Sequence, residues 1–149
     1  MNFISPQSFS DSARQAEIWV AELSEYLQCE RNEAYDCLRF VLHALRDSMG
    51  QKAMADFSSH LPPLVRGIFY EDWQPEHTQP CSDRMDFIAS IGGRSGRPND
   101  IDSEQAARNV FKLLDHRLSP PVIKKVKLAM NPSLGPLWPQ RPEQSNSAA

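Results

Sequence analysis

The feature that most constrains this chain is the spacing of its apolar residues, which recur every three or four positions. Ala16, Trp19, Val20, Leu23, Tyr26 and Leu27 make one such series. Ala34, Leu38, Val41, Leu42, Leu45 and Met49 make a second. That period places each series on one face of an α-helix. Later sets repeat it, among them Ala106, Ala107, Val110, Leu113, Leu114 and Leu118, then Val122, Ile123, Val126, Ala129 and Met130. Alternating patterns are absent and β-branched residues are few, so no strand is expected. The predicted fold class is all-α.

Breaker and capping residues divide the stripes. Ser12 with Gln15 three residues on forms a capping box for the first helix. Gly50 suits the end of the second, where positive φ is tolerated. Pro62 and Pro63 stop a short third helix carrying Met54, Phe57 and Leu61. Pro63 then opens a turn with Leu64, Val65, Ile68 and Phe69 facing inward. Ser82 is the expected cap of the next helix, which carries Phe87, Ile88 and Ile91. Gly92 to Asp100 holds three glycines and a proline and reads as a loop. Asp102 or Ser103, Ser119-Pro120 and Asn131-Pro132 mark three further starts. The chain therefore divides into a flexible N-terminus (1–11), a helical domain (12–138) and a disordered tail (139–149).

The domain reads as two pseudo-repeats of a four-element helical unit. A shift of 69 residues lays half 1 (12–70) on half 2 (82–138), across a connector at 71–81. Val41, Leu42, Ala44 and Leu45 fall on Val110, Phe111, Leu113 and Leu114, and Pro63 falls on Pro132. Neither half can bury its stripes alone, so the two are expected to pack together.

Two stretches also carry a family resemblance. One runs from Tyr35-Asp36-Cys37-Leu38-Arg39-Phe40-Val41-Leu42-His43 through Ala44-Leu45-Arg46-Asp47. The other is Leu61-Pro62-Pro63-Leu64-Val65-Arg66-Gly67-Ile68-Phe69-Tyr70-Glu71-Asp72-Trp73-Gln74-Pro75. Both resemble motifs of the bacterial family called domain of unknown function 2267, over roughly residues 14–138. The second half departs from it at Gly92–Asp100, where the family pattern implies a longer helix and a tight turn. The resemblance implies a small helical bacterial protein and transfers no catalytic residue.

Composition narrows the function classes. The net charge is −3 and 23% of residues are charged, as in an ordinary globular protein. No apolar run approaches the roughly 18–20 residues of a membrane span. The N-terminus lacks a cationic segment and an apolar stretch, so no secretory signal is expected. Three cysteines, Cys29, Cys37 and Cys81, make a disulfide framework improbable and a cytoplasmic setting the default. Residues 1–75 hold 11 acidic and 6 basic residues, net −5; residues 76–149 hold 8 and 10, net +2. That asymmetry would suit head-to-tail self-association or an acidic partner.

Four groups of residues invite a functional reading. Gly92 and Gly93 could form an anion-binding nest, with Arg94 and Arg97 adding charge-assisted bonds; the same composition suits a plain surface loop. Lys112, Lys124, Lys125 and Lys127 gather as a basic face around one helix hairpin. The pI near 5.8 and the lack of interleaved aromatics argue against nucleic acid. Phe69, Tyr70, Trp73 and Trp138 are the residues expected to form a partner-docking surface, although Trp73 could equally fold back over the first-half core. His43, His60, His77 and His116 are too far apart in sequence for a zinc pattern, so no metal is expected. His43 and His116 lie beside apolar stripes and read as boundary residues. No nucleophile–base pair is legible and no cofactor is implied. The expected function is a non-enzymatic protein-interaction or assembly module. The alternatives are a regulatory domain binding a small anion or nucleotide at Gly92–Arg97, or a small enzyme with a site between the halves.

Overall fold

A computed structural model describes residues 6–77, 83–95 and 101–140. These form seven α-helices: α1 (Pro6–Leu27), α2 (Arg31–Asp47), α3 (Gln51–Ser58), α4 (Pro63–Tyr70), α5 (Arg84–Ser95), α6 (Ser103–Arg117) and α7 (Pro120–Ala129). Two 3-10 helices, Pro75–His77 and Pro132–Leu137, complete the described elements, and there is no strand among them. No helix among the described residues is long and apolar enough to cross a membrane.

The apolar period accounts for the architecture. α2 packs against α1, α4, α5 and α6, and α6 against α1, α2, α5, α7 and the Pro132–Leu137 segment. These two helices are central, and most of the circumference of α2 is buried. On α2 that includes Ala34, Cys37, Leu38, Val41, Leu42, Ala44 and Leu45. A helix enclosed on most sides must be apolar nearly all round. Any polar residue it keeps there must find a partner inside the protein. Burial also pushes the Cys37 thiol up to about 12, which leaves it an unreactive core residue.

The structure differs from expectation at three helix bounds and at one side chain. α1 begins at Pro6, upstream of the Ser12 cap, because proline is compatible with a first helical turn and nothing in Ser8–Asp11 breaks the helix. Gly50 has φ −68 and is the N-cap position of α3, so its positive-φ freedom goes unused. The left-handed residues are instead Gln28 (φ 54) after α1 and Asp72 (φ 57) after α4. Leu64 points outward at 48% exposure, because α4 buries only Val65 and Phe69 fully. α5 continues through Gly92 and Gly93 to Ser95, so the loop is shorter than expected. A Cβ on Gly92 would sit 3.3 Å from Ser103 Oγ, which gives glycine a packing reason there. Ser82 and residues 96–100 and 141–149 lie outside the described residues; Asp83 caps α5, its carboxylate accepting from the Asp86 N–H at 2.9 Å.

Aromatic rings consolidate both ends of the core. Phe57 and Phe69 meet edge-on at 5.5 Å, and Phe69 meets Tyr70 at 5.1 Å. Phe111 stacks on Trp138 with centroids 4.3 Å apart. Replacing Trp138 with alanine should lower the unfolding free energy by about 3–5 kcal/mol, read from urea denaturation. A loss within about 0.5 kcal/mol would be the result for a surface side chain.

Candidate functional site

The enclosure of α2 creates a packing problem that leads to the site. His43 and Arg46 lie on the part of α2 that faces α4, and both are buried, at 6% and 3% exposure. His43 Nε2 donates to the Ile68 carbonyl at 2.7 Å. Since a carbonyl only accepts, Nε2 carries the proton and neutral His43 leaves its lone pair on Nδ1. Arg46 Nη1 donates to the Phe69 and Glu71 carbonyls at 3.0 and 2.7 Å. Its Nε and Nη2 form a fork onto the two Asp47 carboxylate oxygens, at 2.9 and 3.2 Å. Together these side chains satisfy carbonyls at the α4 C-terminus, where the helix dipole favours positive charge.

Arg39 lies one turn before His43 on the same side of α2. Its guanidinium carbon sits 5.7 Å from the Tyr35 ring centroid and 5.6 Å from that of Phe40. Its charge is met loosely, by Glu71 at 3.5 Å and Asp36 at 3.8 Å. The Arg39 Nε–H is buried and has no hydrogen-bond acceptor. The Glu71 contact is thus a charge pair without an aligned bond.

Arg39, His43, Arg46 and Asp47 line a cleft of about 430 Å³ with Phe40, Asp72 and Gln74. Its wall is α2 on one side and the chain leaving α4 on the other. Asp72 takes the left-handed φ of 57 that turns this segment. Among the described residues the lining holds no serine, threonine, cysteine or lysine.

A second cleft of about 520 Å³ lies at the end of α6, lined by Tyr26, Lys112, Asp115, His116, Leu118, Pro120 and Pro139. Beside it, Glu22 of α1 accepts from the Tyr26 hydroxyl, from His116 Nδ1 at 2.6 Å and from Arg117. Burial raises the Glu22 pKa, but these three donors and the Arg117 charge outweigh it and hold the carboxyl below its usual range. Tyr26 is pushed up to about 12 by burial and by the Glu22 carboxylate.

A family profile described as "Uncharacterized conserved protein (DUF2267)" matches residues 16–137. The chain belongs to the DUF2267 family. A comparison with curated proteins found no match. The two stretches that carry the DUF2267 resemblance supply the whole lining of the α2 cleft, Arg39 to Asp47 from one and Asp72 to Gln74 from the other.

The residues singled out from the sequence fall elsewhere. Phe69 and Trp138 are core, at 0% and 2% exposure, and offer no docking surface. Tyr70 is half-buried with its hydroxyl 2.8 Å from Ser58 Oγ. Trp73 folds back on Tyr70, rings 5.9 Å apart. Gly92 and Gly93 lie within α5, where amide groups run along the helix axis and cannot form a nest. The side chains of Arg94, Arg97 and His77, with Cys81, lie outside the described residues.

The lysines do not form one open face. Lys112 covers the Tyr26 ring at 4.2 Å, Lys125 stands 3.9 Å from Asp56 of α3, and Lys127 sits over Trp138 at 5.5 Å. Lys124 is exposed. Nor is His43 a boundary residue; at 6% exposure, with its ring bonded to the Ile68 carbonyl of α4, it is internal. Among the described residues no group of three His, Cys, Asp or Glu side chains is placed to hold a metal. The sequence signal that could have found the cleft was the polar series Arg39, His43, Arg46 and Asp47, which is itself at helical spacing.

Burial is the main cause that lowers the His43 pKa; the nearby Arg46 and Arg39 charges add to it, while the Ile68 bond and Glu71 oppose it. Well above pH 6.5 His43 is neutral in both folded and unfolded chains. As pH falls, the unfolded chain takes up a proton that the folded chain resists, so stability declines. His43→Gln keeps a donor for the Ile68 carbonyl. It should flatten the loss of urea midpoint from about pH 7 to about pH 5; an equally steep loss in the variant would clear His43 of this role.

Proposed function

We propose that the chain is a non-enzymatic binding module and that its contact point is the α2 cleft. The observation that carries this is the state of its cations. Arg46 makes four hydrogen bonds, whereas Arg39 lies against two rings with a buried donor unpaired. A rigid, unsatisfied donor in a concave site is what a small polar ligand, or a polar group of a partner, can use.

We infer also that the scaffold is a duplicated unit. Under the 69-residue register, the α1 contact with α6 becomes that of α5 with α2. The α2–α6 and α3–α7 contacts map onto themselves, and α2 against α4 becomes α6 against Pro132–Leu137. The last element differs in type, being 3-10 with Pro136 inside it. Experimental coordinates in which 34–69 fails to superpose on 103–138 would remove this inference.

The binding reading is tested by two-dimensional NMR of the full chain against small carboxylates, phosphates, amides and imidazoles. Saturable shifts should centre on amides 39–47 and 71–74 and weaken in Arg39→Ala. Shifts confined to other surfaces, or none at all, would defeat the reading.

A further inference from the structure

We propose that the α2 cleft is a carboxylate site, in which a small organic monoanion replaces Glu71 on the Arg39 guanidinium. This rests on the cleft being the binding surface and adds the ligand class.

The first ground is geometry. Arg39 Nε–H is buried without an acceptor although the Glu71 carboxylate is only 3.5 Å away. Glu71 is therefore close enough to neutralise Arg39 but not aligned to bond it. A buried unmade hydrogen bond favours any acceptor that can reach it. The Glu71 backbone explains the misalignment. Its carbonyl is held by Arg46 Nη1 at 2.7 Å, and its N–H is bonded to the Ile68 carbonyl at 3.2 Å. The backbone is fixed, so the side chain approaches Arg39 from a set direction. A free carboxylate has no such tether and can present both oxygens to the planar fork of the guanidinium.

The second ground is charge. The groups around the cleft are Arg39 and Arg46 against Asp47, Glu71 and Asp72, with His43 favouring its neutral form. A monoanion that takes the place of Glu71, whose side chain is 41% exposed and can turn to water, leaves the balance at Arg39 unchanged. A dianion such as phosphate brings a second charge against Asp47 and Asp72, and the described lining holds no cation beyond Arg39 and Arg46. Neutral amides bring an acceptor but no charge to displace Glu71.

Arg39 Nε–H is directly visible by ¹⁵N NMR, its signal assigned by its loss in Arg39→Lys. Sodium acetate, acetamide and inorganic phosphate are titrated into the full chain at constant ionic strength. Acetate should shift the Arg39 Nε–H resonance saturably, ahead of phosphate and acetamide. Glu71→Gln keeps the backbone bonds of Glu71 and removes the competing charge. It should tighten acetate binding about two- to fivefold, the range of an exposed ion pair. An unchanged acetate affinity in Glu71→Gln would overturn the replacement. Preferential binding of acetamide or phosphate at amides 39–47 and 71–74 would overturn the carboxylate class while sparing the binding reading. Failure of every probe to perturb those amides would end both.

Discussion

The buried guanidinium of Arg46 is the interaction on which the geometry of the first half depends. At 3% exposure it has left water almost completely. Such a transfer costs several kcal/mol unless its donors are met. Here Asp47 supplies the counter-charge and the Phe69 and Glu71 carbonyls supply the remaining acceptors. The same bonds solve a second problem, since the last carbonyls of α4 have no partners within their own helix. Arg46 thereby decides where α4 ends and in which direction residues 71–74 leave it. A lysine could not replace it, because a single ammonium lacks the fork that spans a carboxylate and two carbonyls at once.

From that anchor the cleft follows. The departing chain turns at Asp72, in the left-handed region, and passes in front of Arg39 and His43. His43 adds a third tie, to the Ile68 carbonyl, one turn along α2 from Arg46. The wall opposite α2 is thus held through its backbone rather than its side chains. Glu71, Asp72 and Gln74 are left to face the cleft or solvent. A site built on a rigid helix and a pinned segment holds its geometry better than one on a free loop.

The helices were legible because their signal is local. Stripes at helical spacing and prolines at first positions need only a dozen residues to be read. The starts of α4, α6 and α7 fall where those signals put them. Depth was not legible, because it depends on how many neighbours a face acquires. Phe69 and Trp138 look the same in sequence as exposed aromatics, yet each is enclosed by rings and aliphatic groups from distant positions. Gly92 and Gly93 carry poor helix propensity, but the packing of α5 on α2 and α6 overrides it. The cleft was hidden for the same reason. Arg39, His43, Arg46 and Asp47 would sit on a solvated face if α2 were peripheral. They become a site only because α2 is surrounded and α4 ends against it.

The two clefts then bear on each other through the proposed duplication. The 69-residue register carries Arg39, His43, Arg46 and Asp47 onto Arg108, Lys112, Asp115 and His116. Lys112, Asp115 and His116 line the second cleft, as their counterparts line the first. Arg108 still donates to a backbone carbonyl of the following element, that of Pro136 at 2.9 Å. Under that register the apolar stripes of α2 and α6 match while their polar positions differ. The second cleft is bordered by a carboxylate from its own chain, Glu22 of α1, bonded to Tyr26, His116 and Arg117. The register places Ile91 of α5, a core residue, where that carboxylate would stand for the first cleft. The second cleft has its acid built in, hydrogen-bonded to three donors. The other has only the tethered, misaligned Glu71, and that difference leaves the first cleft as the one in which an external carboxylate has something to gain.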